Sequence, residues 1–278
     1  MKRVMTIQDI SCLGKCSLTV ALPIISAMGV ECCVVPTAVL STHTMFSGFT
    51  FRDLTAELRP IADHWEREGF TFDALYSGYL GSEEQLNIVE DYFARFGKNA
   101  VKLVDPVMAD NGKLYAGFTP EFARKMAKLC GNADIMLPNL TEAAYLLNRP
   151  YVSGGYDEAF IRDLLKRLSD LGAGTVILTG VSFSEKEIGV MSYTAETESF
   201  EGYFHSRVDA SYHGTGDIFA SVVTGGLMRG LRLKEAYRLA ADFTAACIRR
   251  TANTPGGIRY GVYFEAELPG LIRELETR

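Results

Sequence analysis

The residues best suited to chemistry lie in "HGTGD", residues 213–217, directly ahead of the apolar run "IFASVVTGGLM". Two glycines let the backbone turn tightly and come close to a ligand. The helix predicted to start there offers unpaired N–H groups and the positive end of its dipole. Gly214, Thr215 and Gly216 would then form an anion hole. Asp217, in the first turn, would stand where it can take a proton from an attacking hydroxyl. Donors aimed at developing negative charge are worth about 3 kcal/mol each when deleted, and phosphoryl transfer is the chemistry that uses such a turn. A structural reading stays open on this stretch alone: Asp217 caps its helix and the glycines serve the turn.

A second group is "VDPVMADNGKLY", residues 104–115, where Asp105 ends an apolar strand and Asp110 follows in a loop. A third is "LPNLTEAAYLL", which puts Asn139 and Glu142 at a strand-to-helix turn. Carboxylates and a carboxamide suit a hard cation such as Mg²⁺, which keeps water ligands and bridges phosphates. The alternative is that Asn139 and Glu142 are helix caps and Asp105 a turn residue. The string "LGKCS" at 13–17 is not a phosphate-binding P-loop, because residue 9 is aspartate where the motif needs glycine and Cys16 replaces the hydroxyl residue. His43 and His213 lie in the same loops as weak polar candidates, and His64 reads as surface.

These residues need a scaffold, and the hydrophobic pattern supplies one. Short apolar runs ("RVMTI", "ECCVVPT", "FDALYSGYL", "AVKLVDPV", "ADIMLPN", "TVILTG") alternate with amphipathic stretches such as "SLTVALPIISAMG", "FRDLTAELRPIADHWEREG" and "SEEQLNIVEDYFARFG". That alternation predicts an α/β fold, a mostly parallel central sheet flanked by helices on both faces. After Gly180, "IGVMSYTA" and "ESFEGYFHS" follow one another without a helix and predict an antiparallel edge hairpin. No linker or repeat interrupts the chain, so residues 1–278 are expected to form one domain. In such sheets ligands bind beyond the carboxyl ends of the strands. Asp9, Ser11, Thr44, Asp105, Asn139 and Thr179 all follow predicted strands, and one crevice could gather them.

Composition narrows the function classes. The 28 basic and 34 acidic side chains give a formal charge of −6, with no basic run to neutralise a nucleic-acid backbone. The N-terminus lacks the pattern of a signal peptide, and no stretch is apolar for long enough to span a membrane. A cytoplasmic protein without nucleic-acid or membrane partners is expected. The six cysteines lack zinc spacing and read as reduced, packed thiols.

The strings "RVMTIQD", "STHT", "YSGYLGS", "VDPVMADNGKLY", "PNLTEAAYLL", "VILTG", "GTGDIFAS" and "RYGVYFE" together resemble the ribokinase-like superfamily, and within it the pyridoxal or pyridoxamine (vitamin B6) kinases, over essentially the whole chain. "GTGD" is shared with hydroxymethylpyrimidine kinases; "DPVM" with "GKLY" and "SxHT" is more specific to the B6 group. The resemblance implies ATP-dependent phosphorylation of the 5′-hydroxymethyl group of a B6 vitamer, with Mg²⁺, a monovalent cation as an optional further requirement, and a homodimeric assembly. It makes Asp217 the base and Gly214, Thr215 and Gly216 the anion hole. Asp105, Asn139 and Glu142 would organise the metal and triphosphate, with Asp110 and Tyr115 near the phosphates. Thr179, Arg207, Val208 and the loop around Gly257 would border the nucleotide, and Asp9, Ser11, Thr44 and Tyr79 the vitamer.

The chain departs from that pattern in two places. Asp9 stands where members have a serine after "IQ", with Ser11 two places on, which suits a protonated or amine-bearing vitamer. "MFSGFTF" replaces the glycine and tyrosine often found after "HT" and leaves the lid undefined. Two rivals are a hydroxymethylpyrimidine kinase, whose "GSD" opening is absent here, and a non-catalytic vitamer sensor, which has no need of Asp217.

Overall fold

The computed structural model describes residues 1–277, and its Cα packing divides into two compact units: Met1–Leu75 with Val208 onward, and Tyr76–Arg207. Strand β1 (Arg3–Ser11) opens the first unit with an almost unbroken buried run, as expected of a parallel strand covered on both faces. Helix α1 (Leu18–Ala27) leads to β2 (Glu31–Leu40), which pairs parallel to β1. The register slips between Gln8, whose partner is Pro36, and Ile10, whose partner is Val39, so the two β2 residues Thr37 and Ala38 stand opposite Asp9 alone. The stretch "FRDLTAELRP" is not helical throughout. Its first residues form a short antiparallel edge strand, β3 (Phe51–Asp53), before α2 (Thr55–Arg67).

Strand β4 (Ala74–Ser77) ends this stretch and α3 (Glu83–Phe96) begins the next. Ser82 accepts from the Gln85 N–H and Gly97 closes the helix, as the sequence predicts. Strand β5 (Val101–Val104) leads not to an open loop but to a hairpin, β6 (Ala109–Asp110) and β7 (Lys113–Leu114). Its turn residues Asn111 and Gly112 both have positive φ, 50° and 77°.

Helix α4 (Pro120–Gly131), capped by Thr119, strand β8 (Ile135–Met136) and helix α5 (Leu140–Leu146) follow. The second unit closes with α6 (Glu158–Ser169) and strands β9 (Thr175–Val181), β10 (Glu187–Thr194) and β11 (Ser199–Ser206). Its strands run β5–β8–β9 in parallel and β9–β10–β11 antiparallel, which is the expected edge hairpin.

The chain then returns to the first unit with α7 (Thr215–Met228), α8 (Leu233–Ala252) and α9 (Leu268–Glu276). Helix α7 is buried without interruption from Asp217 to Gly226 and packs on α1 and α8. A helix covered on every side is held by its neighbours, so its first turn is a fixed platform. The architecture is the α/β class expected, mostly parallel strands with an antiparallel edge and helices around them. No described helix is long and apolar enough to cross a membrane.

Candidate functional site

In the first unit Gly214 is the N-cap of α7, with a left-handed φ of 78° and no side chain to satisfy the first N–H groups. A Cβ on Gly214 would overlap the Lys15 carbonyl oxygen, so this glycine serves the close approach of the 12–17 loop. A Cβ on Gly216 meets nothing within 4 Å, so open space lies beside this residue. Thr215 turns its hydroxyl back to the Tyr212 carbonyl, 3.2 Å away, which steadies the turn.

Asp217 is 8% exposed, and its Oδ1 has no hydrogen-bond partner. Burial pushes its carboxyl up to about 7; the Asp9 charge adds to this and the Ser17 backbone N–H opposes it. Ser17 reaches that position with φ of 50°, a conformation uncommon outside glycine.

Asp9 belongs to the same cluster. It is 5% exposed, accepts from Ser11 Oγ at 3.3 Å and from the Ser17 hydroxyl, and its carboxyl is pushed up by burial. Cys16 is buried against it, with its thiol driven up to about 12 by burial and by the Asp217 and Asp9 charges. Beside these, the His43 and His213 rings lie against each other at a tilt of 41°, centroids 4.7 Å apart. Burial and His213 lower His43 to about 4, so it stays neutral. Thr44 is exposed in the following turn, and Gly257 is held where a Cβ would crowd the Thr251 and Thr254 carbonyls. Val208 is half-buried.

The second unit gathers the other candidates around α5. Asn139 caps it, accepting from the N–H groups of Thr141 (2.8 Å) and Glu142 (2.9 Å). Glu142 completes the capping box by accepting from the Asn139 N–H at 2.9 Å. Its other oxygen accepts from Met108 N–H at 3.3 Å, and Ala109 N–H also contributes. Burial pushes the Glu142 carboxyl up to about 8, opposed by those N–H groups, with the Asp110 charge adding to the rise. The Asn139 amide donates to the Ala109 carbonyl at 3.0 Å, and Thr141 Oγ1 accepts from Gly112 N–H at 3.1 Å. The capping pair thus clasps the 105–114 segment.

Asp105 is 6% exposed, its N–H bonded to the Ser77 carbonyl at 2.9 Å. Asp105 and Glu142 both act on the buried Cys130 thiol and push it up further than burial alone. Thr179 bridges to Asn139 through the backbone. The Tyr79 ring meets Phe118 at a tilt with centroids 5.5 Å apart, Tyr115 is exposed, and Arg207 donates to Ser182 Oγ at 2.9 Å. Among the described residues no three His, Cys, Asp or Glu side chains are arranged to hold a metal, and all six cysteines are unpaired. Two buried carboxylates with hard oxygen donors still fit a cation that is ligated mainly by water and phosphate.

The phosphomethylpyrimidine kinase family matches residues 22–260 of this chain. The chain belongs to that family. Other comparisons place it among kinases of the same kind. A pyridoxine kinase of Bacillus subtilis is 30% identical over 210 residues, covering 71% of this chain and 70% of that protein. The pyridoxal kinase of Lactobacillus plantarum superposes with a TM-score of 0.90 at 30% identity, over 100% of this chain and 99% of the other. A Bacteroides thetaiotaomicron protein, in a crystal form with pyridoxal, gives a TM-score of 0.92 at 38% identity, over 97% and 95%. The fold of this kinase-family chain is therefore ribokinase-like.

Sequence reasoning missed Ser17, Cys16 and the Met108 and Ala109 amides. Ser17 lies in the "LGKCS" string, whose failure as a P-loop hid the role of its backbone. The amides carry no sequence signal, because any residue supplies an N–H.

Proposed function

We propose that this chain transfers the γ-phosphoryl group of ATP to the 5′-hydroxymethyl group of a B6 vitamer, pyridoxal, pyridoxine or pyridoxamine. The observation that carries this reading is Asp217: a buried carboxyl whose Oδ1 has no partner, in the first turn of a helix whose N-cap offers no side chain. A helix cap would have its oxygens satisfied. This one is left ready for a proton, and the uncapped N–H groups beside it suit a phosphoryl group.

In the step proposed, the vitamer hydroxyl oxygen bonds to the γ-phosphorus as the bond to ADP breaks, and the hydroxyl proton passes to Asp217. Such transfers ask for positioning and charge stabilisation, and no enzyme nucleophile is needed. Gly216 leaves room for the phosphoryl group, and Thr215 fixes the turn. Asp105 and Glu142, with Asn139, would hold Mg²⁺, which neutralises phosphate charge when bound. Asp110, Tyr115, Thr179, Arg207, Val208 and Gly257 remain assigned to the donor, and Ser11, Thr44 and Tyr79 to the acceptor. A single kinase domain, a homodimer and a cytoplasmic location belong to the same reading and rest on the sequence expectations above.

ADP release measured with each of the three vitamers and with hydroxymethylpyrimidine tests it. Turnover with at least one vitamer, exceeding that with the pyrimidine, is expected. Preference for the pyrimidine would move the chain to thiamine synthesis, and binding without turnover would make it a sensor.

A further inference from the structure

Asp9 and Asp217 are two buried carboxyl groups joined through one residue. The Ser17 hydroxyl bonds Asp9 and the Ser17 backbone N–H bonds Asp217. The Asp9 charge raises Asp217, yet the other groups shaping the two carboxyls are hydroxyls, backbone N–H groups and burial, with no cation.

Two basic side chains of the neighbouring loops, Lys15 and His43, are committed elsewhere. The Lys15 ammonium sits 2.6 Å from both Glu265 oxygens and lies over the Tyr263 and Phe264 rings. His43 is held neutral by burial and His213. Asp9 also faces the register shift between β1 and β2, where Thr37 and Ala38 together stand opposite this one residue. Asp217 Oδ1, nine-tenths buried, has no partner at all. Buried carboxylates are ordinarily paired with a cation or neutralised, so a couple of them without one leaves a place for positive charge.

We propose that Asp9 is the counter-charge to a protonated nitrogen on the phosphoryl acceptor, so that the site selects hydroxymethyl compounds bearing a ring N–H⁺ or an ammonium group over their neutral isosteres. This rests on the acceptor reading given under the proposed function and narrows it from a vitamer to a charge state. A protonated nitrogen gives Asp9 its missing ion pair and offsets the repulsion between Asp9 and Asp217, which leaves Asp217 ionised to receive the hydroxyl proton. A neutral isostere would strand the Asp9 charge, and sites built around a polar partner reject ligands lacking it far more strongly than they reject a missing methylene.

The test compares pyridoxine with its benzene analogue, in which C–H replaces the ring nitrogen, as acceptors for the wild type, Asp9→Asn and Asp9→Ser. The wild type is expected to favour pyridoxine in kcat/KM by at least about 100-fold. Asp9→Asn should shrink that ratio at least tenfold, chiefly by raising KM for pyridoxine. Asp9→Ser, which keeps a small hydrogen-bonding group, repeats the test if the amide variant melts early. A wild type that accepts both compounds equally, or a ratio unmoved in both variants, overturns the role of Asp9 and leaves the kinase reading standing. A wild type that phosphorylates no vitamer overturns the kinase reading, and the Asp9 role with it.

Discussion

Glu142 and Asp217 occupy the same helix position, third residue after the N-cap, one in each compact unit. Both are buried acids, and burial drives both toward the protonated form. Their surroundings separate them. Glu142 faces an asparagine cap and spends its oxygens on the N–H groups of Asn139, Met108 and Ala109, so it knits a loop to a helix. Asp217 follows a glycine cap, is one methylene shorter, and keeps Oδ1 without a partner. Residue type and helix position are alike in the two; their hydrogen bonds differ, and separate an acid that clasps a loop from one with an oxygen left over for a proton.

Asp217→Asn tests that contrast most sharply. Losing a general base should lower kcat/KM by roughly 10²–10⁴, while the melting temperature holds or rises, since an unsatisfied buried carboxyl is removed. Near-normal turnover would end the contrast. In the wild type kcat/KM should climb with pH to a plateau with an apparent pKa near 7, because Asp217 must be ionised to act.

Next in size are the two glycines of the α7 turn. Gly214→Ala forces a Cβ into the Lys15 carbonyl at positive φ and should cost at least about 1–3 kcal/mol of stability. Gly216→Ala has open space and should melt slightly higher, by up to ~1 kcal/mol of helix propensity, yet turn over more slowly if a phosphoryl group needs that space.

Glu142→Gln should reverse the Asp217 pattern. An amide nitrogen set against N–H donors loses about 1–3 kcal/mol of stability, read in thermal unfolding, and a metal role would show separately as a raised KM for MgATP. A melting temperature unchanged by Glu142→Gln would mean the clasp is not structural.

Stability should also fall as pH rises. Both acids are raised, so between the ordinary carboxylate pKa of about 4 and the native values near 7 and 8 the folded chain binds more protons than the unfolded one. The native state is thus favoured on the acid side of that window and loses the advantage toward its alkaline end. Asp217→Asn should flatten part of this slope in unfolding measured from pH 5 to 8. The smallest effect sets a baseline: Ser82→Ala removes a helix cap that is assigned no part in the site and should cost about 1 kcal/mol in unfolding with kcat unchanged.

Much of this was legible in the sequence. Alternating runs announced the α/β class, and Ser82 and Gly97 marked α3 to the residue. "GTGD" pointed to the α7 turn. The β6–β7 hairpin was legible too, since Asn111-Gly112 is the strongest short hairpin signal, but the chemistry of Asp110 drew that stretch toward a loop. Strand β3 is three exposed residues paired only along one edge, too short for periodicity to reveal. The coupling of Asp9 to Asp217 was out of reach, because it runs through Ser17, whose backbone N–H no side-chain pattern encodes.

The first unit is assembled from both ends of the chain, and this bears on synthesis. As translation proceeds, β1, α1 and β2 leave the ribosome long before α7 and α8, the helices that cover α1. The second unit has all of its own strands available earlier. The opening segment must therefore wait with its apolar faces uncovered, the stage at which nascent chains most need chaperone shelter, while Asp217, the acid proposed as the base, is among the last parts to be seated.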